Sequence, residues 1–524
     1  MKVITADEAA MLIKNGDTIA LSGSAAISLV ADRVLRAMEE RFLSKGEPNQ
    51  LTIFHPQGMG DKDTWGMSRF AHKGMCRRVI GGHWGMSPAM GKLAMEEELE
   101  AYNMPQGVMA QMVRAMAAKG PGVITKIGLD TYIDPRQSGG KMNESAKEDL
   151  IEVMNIDGEE WLRYKPIPFD VAIIRGTTAD EDGYISFEEE VHYDETVSMA
   201  AAAKNNGGIV IVQVKRLAKR DSLECAKVRI PGYLVDYVVV DPEQRQSYDY
   251  FYRPSYCGAV NEPVSMKWPT PGLDERKFIA RRQAMELRPN MLVNIGVGVS
   301  NGVPLILAEE GVWDKITLSL EQGQSGGIPV MGLDAGTMMN PRVIVEQPVQ
   351  HDMYHGGILD ATCLSAAETD FRGNVNVSKL GKNLTGCGGF IDISQETKKI
   401  VFGGTLCAKS KVRFEDGRVI VEEQGKIRKF VNQVQQITFS GKRAVEAGKQ
   451  VVFITERCVF RLEKEGLTLV EVAPGIDIER DILANMDYRP IISENLKLMP
   501  SELFYDGPMG LEKIWNRMEQ ESNT

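Results

Sequence analysis

The 524-residue sequence has few of the features that mark secreted, membrane or zinc-binding proteins. It contains only seven cysteines, an odd number, and none of them forms a Cys-x-x-Cys pair. We therefore expect reduced thiols in a cytoplasmic protein, without a disulfide framework or a cysteine-based zinc site. No apolar run approaches the ~18 to 20 residues that cross a bilayer. Lys2, Asp7 and Glu8 occupy the region where a signal peptide would have its apolar core, so we expect no membrane association.

The sequence also has fewer basic than acidic residues. Lysine and arginine number 61 against 72 aspartate and glutamate residues, which gives a formal charge of −11. A nucleic-acid surface would therefore have to be a local basic patch, and no basic and aromatic stretch stands out. We expect no nucleic-acid partner. The hydrophobic fraction of 43% and charged fraction of 25% are those of a folded protein with a large core.

Strand-like and helix-like segments alternate along the chain, which is typical of α/β proteins. An apolar strand at Thr18–Leu21 is followed by a glycine turn and then by apolar residues at four-residue spacing over 30–42. The second half begins in the same way, with a strand at 291–295 and a glycine turn before another helix. This order predicts a strand, turn and helix unit in each half.

The two halves of the sequence also resemble each other. The matched segments are 17–23 with 290–296, 169–183 with 359–373, and 209–211 with 400–402. Three matches in the same order predict a duplication, and so two related open α/β domains fused in one chain. We place them at 1–252, with an insertion at about 44–165, and at 272–524, with a proline-rich linker at 253–271.

Two glycine segments are candidate sites for an oxyanion or for close ligand contact. Gly296, Val297 and Gly298 form a turn between a strand and a helix, where backbone N–H groups can approach an anion. The spacing of a dinucleotide fingerprint fails there, because its third glycine would fall on Asn301. Gly388 and Gly389 precede a short predicted strand that starts at Phe390 and could form a second group of amide donors. Simple tight turns remain an alternative at both places.

Glu321 is a third candidate, at the carboxyl end of a predicted strand over 316–320 and before a loop with three glycines. Ligands of open α/β sheets bind at this end of the strands. Three interpretations stay open from the local sequence: a residue that binds a ribose, a covalent nucleophile, or a solvated strand-end carboxylate.

His351 and His355 have a spacing that would suit a metal on a helix. Pro348 and the glycines at 356–357 argue against a helix there, and Asp352 occupies the place of a zincin's catalytic glutamate. We therefore predict no metal site.

Several motifs resemble those of the class I coenzyme A transferases, specifically the acetate/propionate (short-chain acyl-CoA:acetate) group. The segment 319–327, Ser-Leu-Glu-Gln-Gly-Gln-Ser-Gly-Gly, is similar to the family's catalytic-glutamate motif, and 386–392, Gly-Cys-Gly-Gly-Phe-Ile-Asp, to its second glycine motif. Further similar blocks lie at 82–85, 128–137, 174–180, 373–379 and 454–457. The resemblance covers nearly the whole chain. Gln324-Ser325 departs from the apolar residue of many relatives, which leaves the acyl specificity open.

The resemblance implies an enzyme of two α/β domains that moves CoA between a short-chain acyl-CoA and acetate or another short carboxylate. It implies that Glu321 is the nucleophile of a ping-pong reaction through a glutamyl-CoA thioester, with Gly296, Val297, Gly298, Gly388 and Gly389 as oxyanion or CoA contacts. It also implies CoA as a substrate with no further cofactor, and a homo-oligomer, often a tetramer in similar proteins. The alternatives are an acyl-CoA hydrolase on the same fold and a non-catalytic CoA sensor.

Overall fold

The computed structural model describes residues 1–264, 269 and 272–522. The chain forms two compact units, of which the first contains Met1–Asn261, Leu320–Met353 and Ser378–Asp392 and the second contains Glu262–Ser319, Tyr354–Val377 and Ile393–Thr524. Positions 265–268, 270 and 271 of the predicted linker lie outside the described residues, so the predicted division of the sequence at 253–271 stays a prediction. Two segments of the second half nevertheless pack as part of the first unit.

The first unit is built on an eight-stranded parallel sheet. Its strands are β1 (Lys2–Ile4), β2 (Thr18–Leu21), β3 (Leu51–His55), β4 (Cys76–Gly81), β5 (Glu100–Asn103), β6 (Val171–Arg175), β7 (Ile209–Val214) and β8 (Tyr237–Val240). The order across the sheet is β1-β8-β7-β6-β2-β3-β4-β5, and every neighbouring pair is parallel. The central strands are almost continuously apolar and buried, as expected for a parallel sheet covered on both faces.

The second unit has a sheet that repeats this arrangement. Its strands are β9 (Leu292–Ile295), β10 (Thr317–Ser319), β11 (Ala361–Ser365), β12 (Lys399–Gly403), β13 (Gln450–Ile454), β14 (Cys458–Glu463), β15 (Gly466–Val472) and β16 (Ile491–Leu498). The order β10-β9-β11-β12-β13 is parallel throughout, and it matches β3-β2-β6-β7-β8 of the first sheet. The predicted pair of related open α/β domains is thus confirmed.

Matched aspartates support the same relationship at atomic detail. The Asp170 carboxylate accepts from the Thr18 N–H at the start of β2, and the matched Asp360 accepts from the Leu292 N–H at the start of β9. Asp180 and Asp370, also matched in the sequence, each accept backbone N–H groups from the residues two and four positions later. Both halves therefore fold the corresponding turn around the corresponding carboxylate.

Helices and small strand pairs complete the fold. The α-helices are Ala6–Leu12, Asp32–Lys45, Pro88–Met95, Gln106–Ala117, Thr196–Asn205, Glu275–Ala284, Gly302–Glu309, Gln347–His355, Phe390–Glu396, Gly441–Glu446 and Leu511–Ser522. The remaining strands are Val123–Thr125, Ile151–Ile156, Glu159–Tyr164, Thr178–Ala179, Ile185–Ser186, Arg216–Leu217, Val228–Ile230, Gln324–Ser325, Ile328–Pro329, Met338–Met339, Val343–Ile344, Glu368–Thr369, Val375–Asn376, Lys379–Leu380, Asn383–Leu384, Cys407–Ala408, Lys411–Glu415, Arg418–Glu423 and Ile427–Arg428. None of the described helices combines the length and the apolar character needed to span a bilayer.

Candidate active site

Glu321 lies in the first unit, in a closed turn two residues after the end of β10, and its side chain is half-buried. The Leu320 N–H donates to the Gln324 carbonyl at 2.9 Å, and the Gly323 N–H donates to the Leu320 carbonyl at 3.1 Å. Gly323 has a φ of +103°, and a Cβ there would collide with the Val345 carbonyl oxygen, so the turn requires glycine. The predicted position of Glu321 just beyond a strand agrees with the structure.

The residue after Glu321 is held by the end of β3. The side-chain nitrogen of Gln322 donates to the side-chain oxygen of Gln57 at 3.2 Å, and both side chains are buried. Gln57 follows the last residue of β3 by two positions. The carboxyl edge of the first sheet therefore supports the turn that carries Glu321.

The second glycine segment packs on the neighbouring strands of the same edge. Asn103, the last residue of β5, donates from its side chain to the Gly81 and Gly82 carbonyls at 2.5 and 2.6 Å. Its side-chain oxygen accepts the Cys387 N–H at 2.9 Å and the Tyr132 hydroxyl. One buried carboxamide thus ties the glycine segment to the ends of β4 and β5.

The amides of this segment are not equally available. The Gly388 N–H donates to the Gly82 carbonyl at 2.8 Å, so it is engaged within the protein. The Gly389 N–H makes no hydrogen bond to any described residue. Of the two amides predicted here, only that of Gly389 can point to a ligand without breaking an existing bond.

The strand predicted from Phe390 onward is wrong: Phe390–Glu396 is an α-helix. A short apolar run does not distinguish a buried strand from a buried helix. Asp392 in this helix is fully buried, and its carboxylate accepts the N–H groups of Gly107 and Val108 at 2.9 and 3.2 Å. It therefore caps the first turn of the helix Gln106–Ala117.

Several buried polar atoms at this edge lack a hydrogen-bond partner among the described residues. They are His83 Nδ1, Gln106 Nε2, Gln322 Oε1 and Gln347 Nε2. A methyl group placed on Gly388 would lie 3.4 Å from the His83 ring and 3.9 Å from the Gln106 side-chain oxygen. Because an unpaired buried polar atom costs about 1 to 3 kcal/mol, a group of them around one turn and one glycine segment indicates a ligand site.

The charge state of His83 follows from its surroundings. Burial, with further contributions from His55 and Lys62, lowers the pKa of His83 to about 4. Burial likewise lowers the pKa of His55 to about 4. Both imidazoles are therefore neutral near pH 7.

The other predicted glycine turn lies in the second unit. The Gly296 N–H donates to the Cys363 carbonyl at 2.9 Å, whereas the N–H groups of Val297 and Gly298 have no hydrogen bond within the described residues. Val297 is 72% exposed. Gly298 has a φ of +111°, and a Cβ there would clash with Ser365 Oγ. Of the three amides predicted as ligand contacts in this turn, those of Val297 and Gly298 are therefore available to a ligand.

His351 and His355 lie on one helix, Gln347–His355, so the argument against a helix was wrong. Pro348 is the second helical residue, in the first turn, where the missing N–H costs no intrahelical bond. The absence of a metal stays a prediction.

Sequence and structure comparisons decide the family. The family described as Coenzyme A transferase matches residues 3–241. The acetate CoA-transferase YdiF of Escherichia coli (strain K12) is 44% identical over 514 residues, which is 97% of this chain and 96% of the relative. The chain belongs to the class I coenzyme A transferase family. The caffeate CoA-transferase of Acetobacterium woodii is 43% identical over 98% of this CoA-transferase and 100% of the relative.

A solved structure agrees with this assignment. The acyl-CoA transferase YdiF of E. coli O157:H7, described as a thioester complex with CoA, has a TM-score of 0.92 and 43% identity and covers 97% of each chain. This CoA-transferase is therefore an enzyme with the family fold, and the sensor alternative is wrong.

Sequence reasoning missed most side chains that contact the Glu321-Gln322 turn or the second glycine segment. The missed side chains are Gln57, His83, Asn103, Gln106 and Gln347. The first four lie at or within three residues of the ends of β3, β4 and β5, the edge at which open α/β sheets bind ligands. Their position just after β3, β4 and β5 is the signal, but these three strands were not predicted from the sequence. Gln347 had none, because its contact with Gln57 joins residues 290 positions apart.

Proposed function

We propose that this enzyme transfers CoA between a short-chain acyl-CoA and acetate or another short carboxylate, with Glu321 as the nucleophile. The observation that carries the proposal is the half-buried Glu321 in a closed turn, next in sequence to Gln322, whose buried side-chain oxygen lacks a partner among the described residues. The E. coli relative that was solved as a thioester with CoA supports it. CoA-transferases use CoA as a substrate, and we propose no further cofactor.

The reaction takes place in two displacements. A Glu321 oxygen attacks the thioester carbonyl carbon, the C–S bond breaks, and CoA leaves as its thiolate, so that a mixed acyl-glutamyl anhydride remains. The thiolate then attacks the glutamyl carbonyl, forming the glutamyl-CoA thioester and releasing the first carboxylate. A second carboxylate attacks this thioester, and the same steps in reverse yield the new acyl-CoA and free Glu321. The anhydride preserves acyl activation, so water must be kept from the site.

The amides with no internal partner are the proposed electrophilic contacts. In the first unit these are the Gly389 N–H and the side-chain nitrogen of the buried Gln106, which would stabilise negative charge on the attacked carbonyl oxygen. In the second unit the N–H groups of Val297 and Gly298 are proposed to contact CoA. The N–H groups of Gly296 and Gly388 already donate to carbonyls within the protein, so these two glycines would shape their turns and would not donate to a ligand.

Gln324 is the residue from which we propose the acyl and acceptor preference. Gln324 is buried, its side-chain nitrogen donates to the Val191 and Tyr256 carbonyls, and its side-chain oxygen has no partner among the described residues. We propose that this polar group lies near the acid-binding region. The relatives named for acetate and for caffeate are almost equally similar to this chain, so the assay should include acetate, longer, hydroxylated and aromatic acids. We further propose that the protein is a cytoplasmic homo-oligomer. Light scattering of the purified protein would measure the mass of the assembly and so test the oligomeric state.

The deciding experiment is mass spectrometry after incubation with acyl-CoA alone. We expect a CoA adduct on Glu321 that borohydride removes, and no adduct with free CoA. Glu321→Gln should give neither the adduct nor transfer activity. An active Glu321→Gln variant, or an adduct on another residue, would contradict the assignment. Acyl-CoA consumption that is independent of added carboxylate would favour the hydrolase alternative.

A further inference from the structure

A chain of buried polar side chains in the first unit ends at the residue next to Glu321. Ser24 Oγ lies 2.8 Å from His192 Nε2, and His192 Nδ1 lies 2.8 Å from Asp194 Oδ1. The same Asp194 oxygen accepts from the side-chain nitrogen of Gln57. The side-chain oxygen of Gln57 accepts from Gln322 at 3.2 Å. All five side chains are less than a tenth exposed.

The first three members have the hydroxyl, imidazole and carboxylate order of a serine hydrolase, but the surroundings do not suit catalysis. Ser24 is 1% exposed and so is closed to a substrate. The neighbouring Gly23 N–H, which could serve as an oxyanion donor, donates to Asp194 Oδ2 at 3.0 Å. The Ser24 N–H is also engaged, with the Ser28 carbonyl. Despite its short distance from Asp194, His192 Nδ1 makes no hydrogen bond within the described residues, so Asp194 is held by the Gly23 N–H and Ser24 is not activated.

Asp194 in turn fixes the orientation of the Gln57 carboxamide. The Gln57 nitrogen has acceptors on two sides, the Asp194 carboxylate and the Gln347 side-chain oxygen at 3.1 Å. The Gln347 backbone N–H donates to the Asp194 carbonyl at 3.0 Å. With the nitrogen of Gln57 directed to these acceptors, its oxygen must face Gln322. A flipped carboxamide would place the Gln57 oxygen against a carboxylate and lose both bonds.

We propose that Gln57 is a positioning residue for Glu321: held by Asp194, it fixes the Glu321-Gln322 turn in the geometry needed for attack on the thioester. This inference rests on the proposed function of Glu321. Small errors in the placement of a nucleophile cost up to about 100-fold in rate. The residue acts through Gln322 and touches no substrate.

The chain offers a matched control for a substitution of Gln57. Gln213 is a glutamine of the same 2% exposure near the carboxyl end of β7 in the same sheet. It also uses both ends of its carboxamide, donating to the Gln244 side chain and accepting the Arg33 N–H. Its bonds lead to the helix Asp32–Lys45 and not to Glu321. Gln57→Met and Gln213→Met therefore remove similar buried hydrogen bonds with different expected effects on catalysis.

We expect Gln57→Met to lower kcat and the rate of Glu321-CoA adduct formation by about 10- to 100-fold, with the KM for acyl-CoA within about threefold. Gln213→Met should lower the Tm by a similar amount and leave kcat within about twofold. A Gln57→Met kcat within twofold of the wild type, or equal losses in both variants, would overturn the proposal.

A double-mutant cycle keeps the test decisive if one variant is unstable. Gln322→Met breaks the same bond from its other side, so the double variant should be no slower than the slower single variant. Additive losses would refute coupling through this bond. The wild-type adduct separates the two proposals: no adduct on Glu321 refutes the proposed function, whereas a normal adduct rate in Gln57→Met and Gln322→Met refutes only the positioning role.

Discussion

Replacement of Asn103 should release the glycine segment from the first sheet. The Asn103 side chain makes four hydrogen bonds, to the Gly81 and Gly82 carbonyls, the Cys387 N–H and the Tyr132 hydroxyl. At about 1 kcal/mol net for each bond, Asn103→Leu should cost about 4 kcal/mol in the local stability of this segment. The leucine also leaves the Cys387 N–H without its acceptor, whereas the Gly82 carbonyl keeps the bond from the Gly388 N–H.

Tyr132→Phe provides the graded comparison, because it removes one of these four bonds and leaves the buried ring in place. Its expected cost is about 1 kcal/mol. The assay is amide hydrogen exchange, followed by mass spectrometry, of peptides covering 378–392. Since about 1.4 kcal/mol is a factor of ten, exchange should accelerate about fivefold in Tyr132→Phe and about 1000-fold in Asn103→Leu. Equal exchange in the two variants, or an unchanged segment in Asn103→Leu, would refute the reasoning.

Two further predictions concern a buried ion network and a glycine. Burial raises the pKa of Glu286, but Arg282 and Lys399 outweigh it and bring the pKa to about 2. The resulting stability, roughly 3 kcal/mol, is present above pH ~4.5 and is lost as the pH falls toward 2. In urea unfolding, the free energy of unfolding of Glu286→Gln should therefore be lower than that of the wild type at pH 7, and the difference should be smaller at pH 3. A difference that does not change with pH would contradict this. Gly386→Ala should slow adduct formation more than tenfold, because the new Cβ would lie 2.7 Å from the Asn103 side-chain nitrogen, whereas Gly381→Ala, also at positive φ but in open space, should stay within twofold.

The repeated architecture could be predicted because its signals are local. Apolar runs, glycine turns and the matched Asp180 and Asp370 recur in the same order in both halves, at an offset of 273 residues before the predicted insertion and of 190 to 191 residues after it. Each of these signals reports on a few neighbouring residues. Glu321 became a candidate for the same reason, since it follows a predicted strand, whereas its role as nucleophile came from the family resemblance and stays a proposal. The helix Phe390–Glu396 was missed because a run of four residues, three of them apolar, fits a buried strand as well as a buried helix.

The contacts of the Glu321-Gln322 turn and of the second glycine segment could not be predicted from such signals. The Gln57–Gln322 bond joins residues 265 positions apart, and the Asn103–Cys387 bond joins residues 284 positions apart. Which glutamine side chains meet depends on two segments of the second half packing with the first unit. No residue pattern within either half of the sequence specifies that these segments pack with the first unit.

The composition of the first unit has a consequence for synthesis of the protein. Residues up to Asn261 leave the ribosome first, but the unit needs Leu320–Met353 and Ser378–Asp392 for completion. At about 5 to 20 residues per second, the edge that holds Gln57 and Asn103 would wait on the order of 7 to 26 s for its last segment. During that interval its polar groups face water or a chaperone. The first unit is thus the first to begin folding, but it can be completed only after Asp392 has been made.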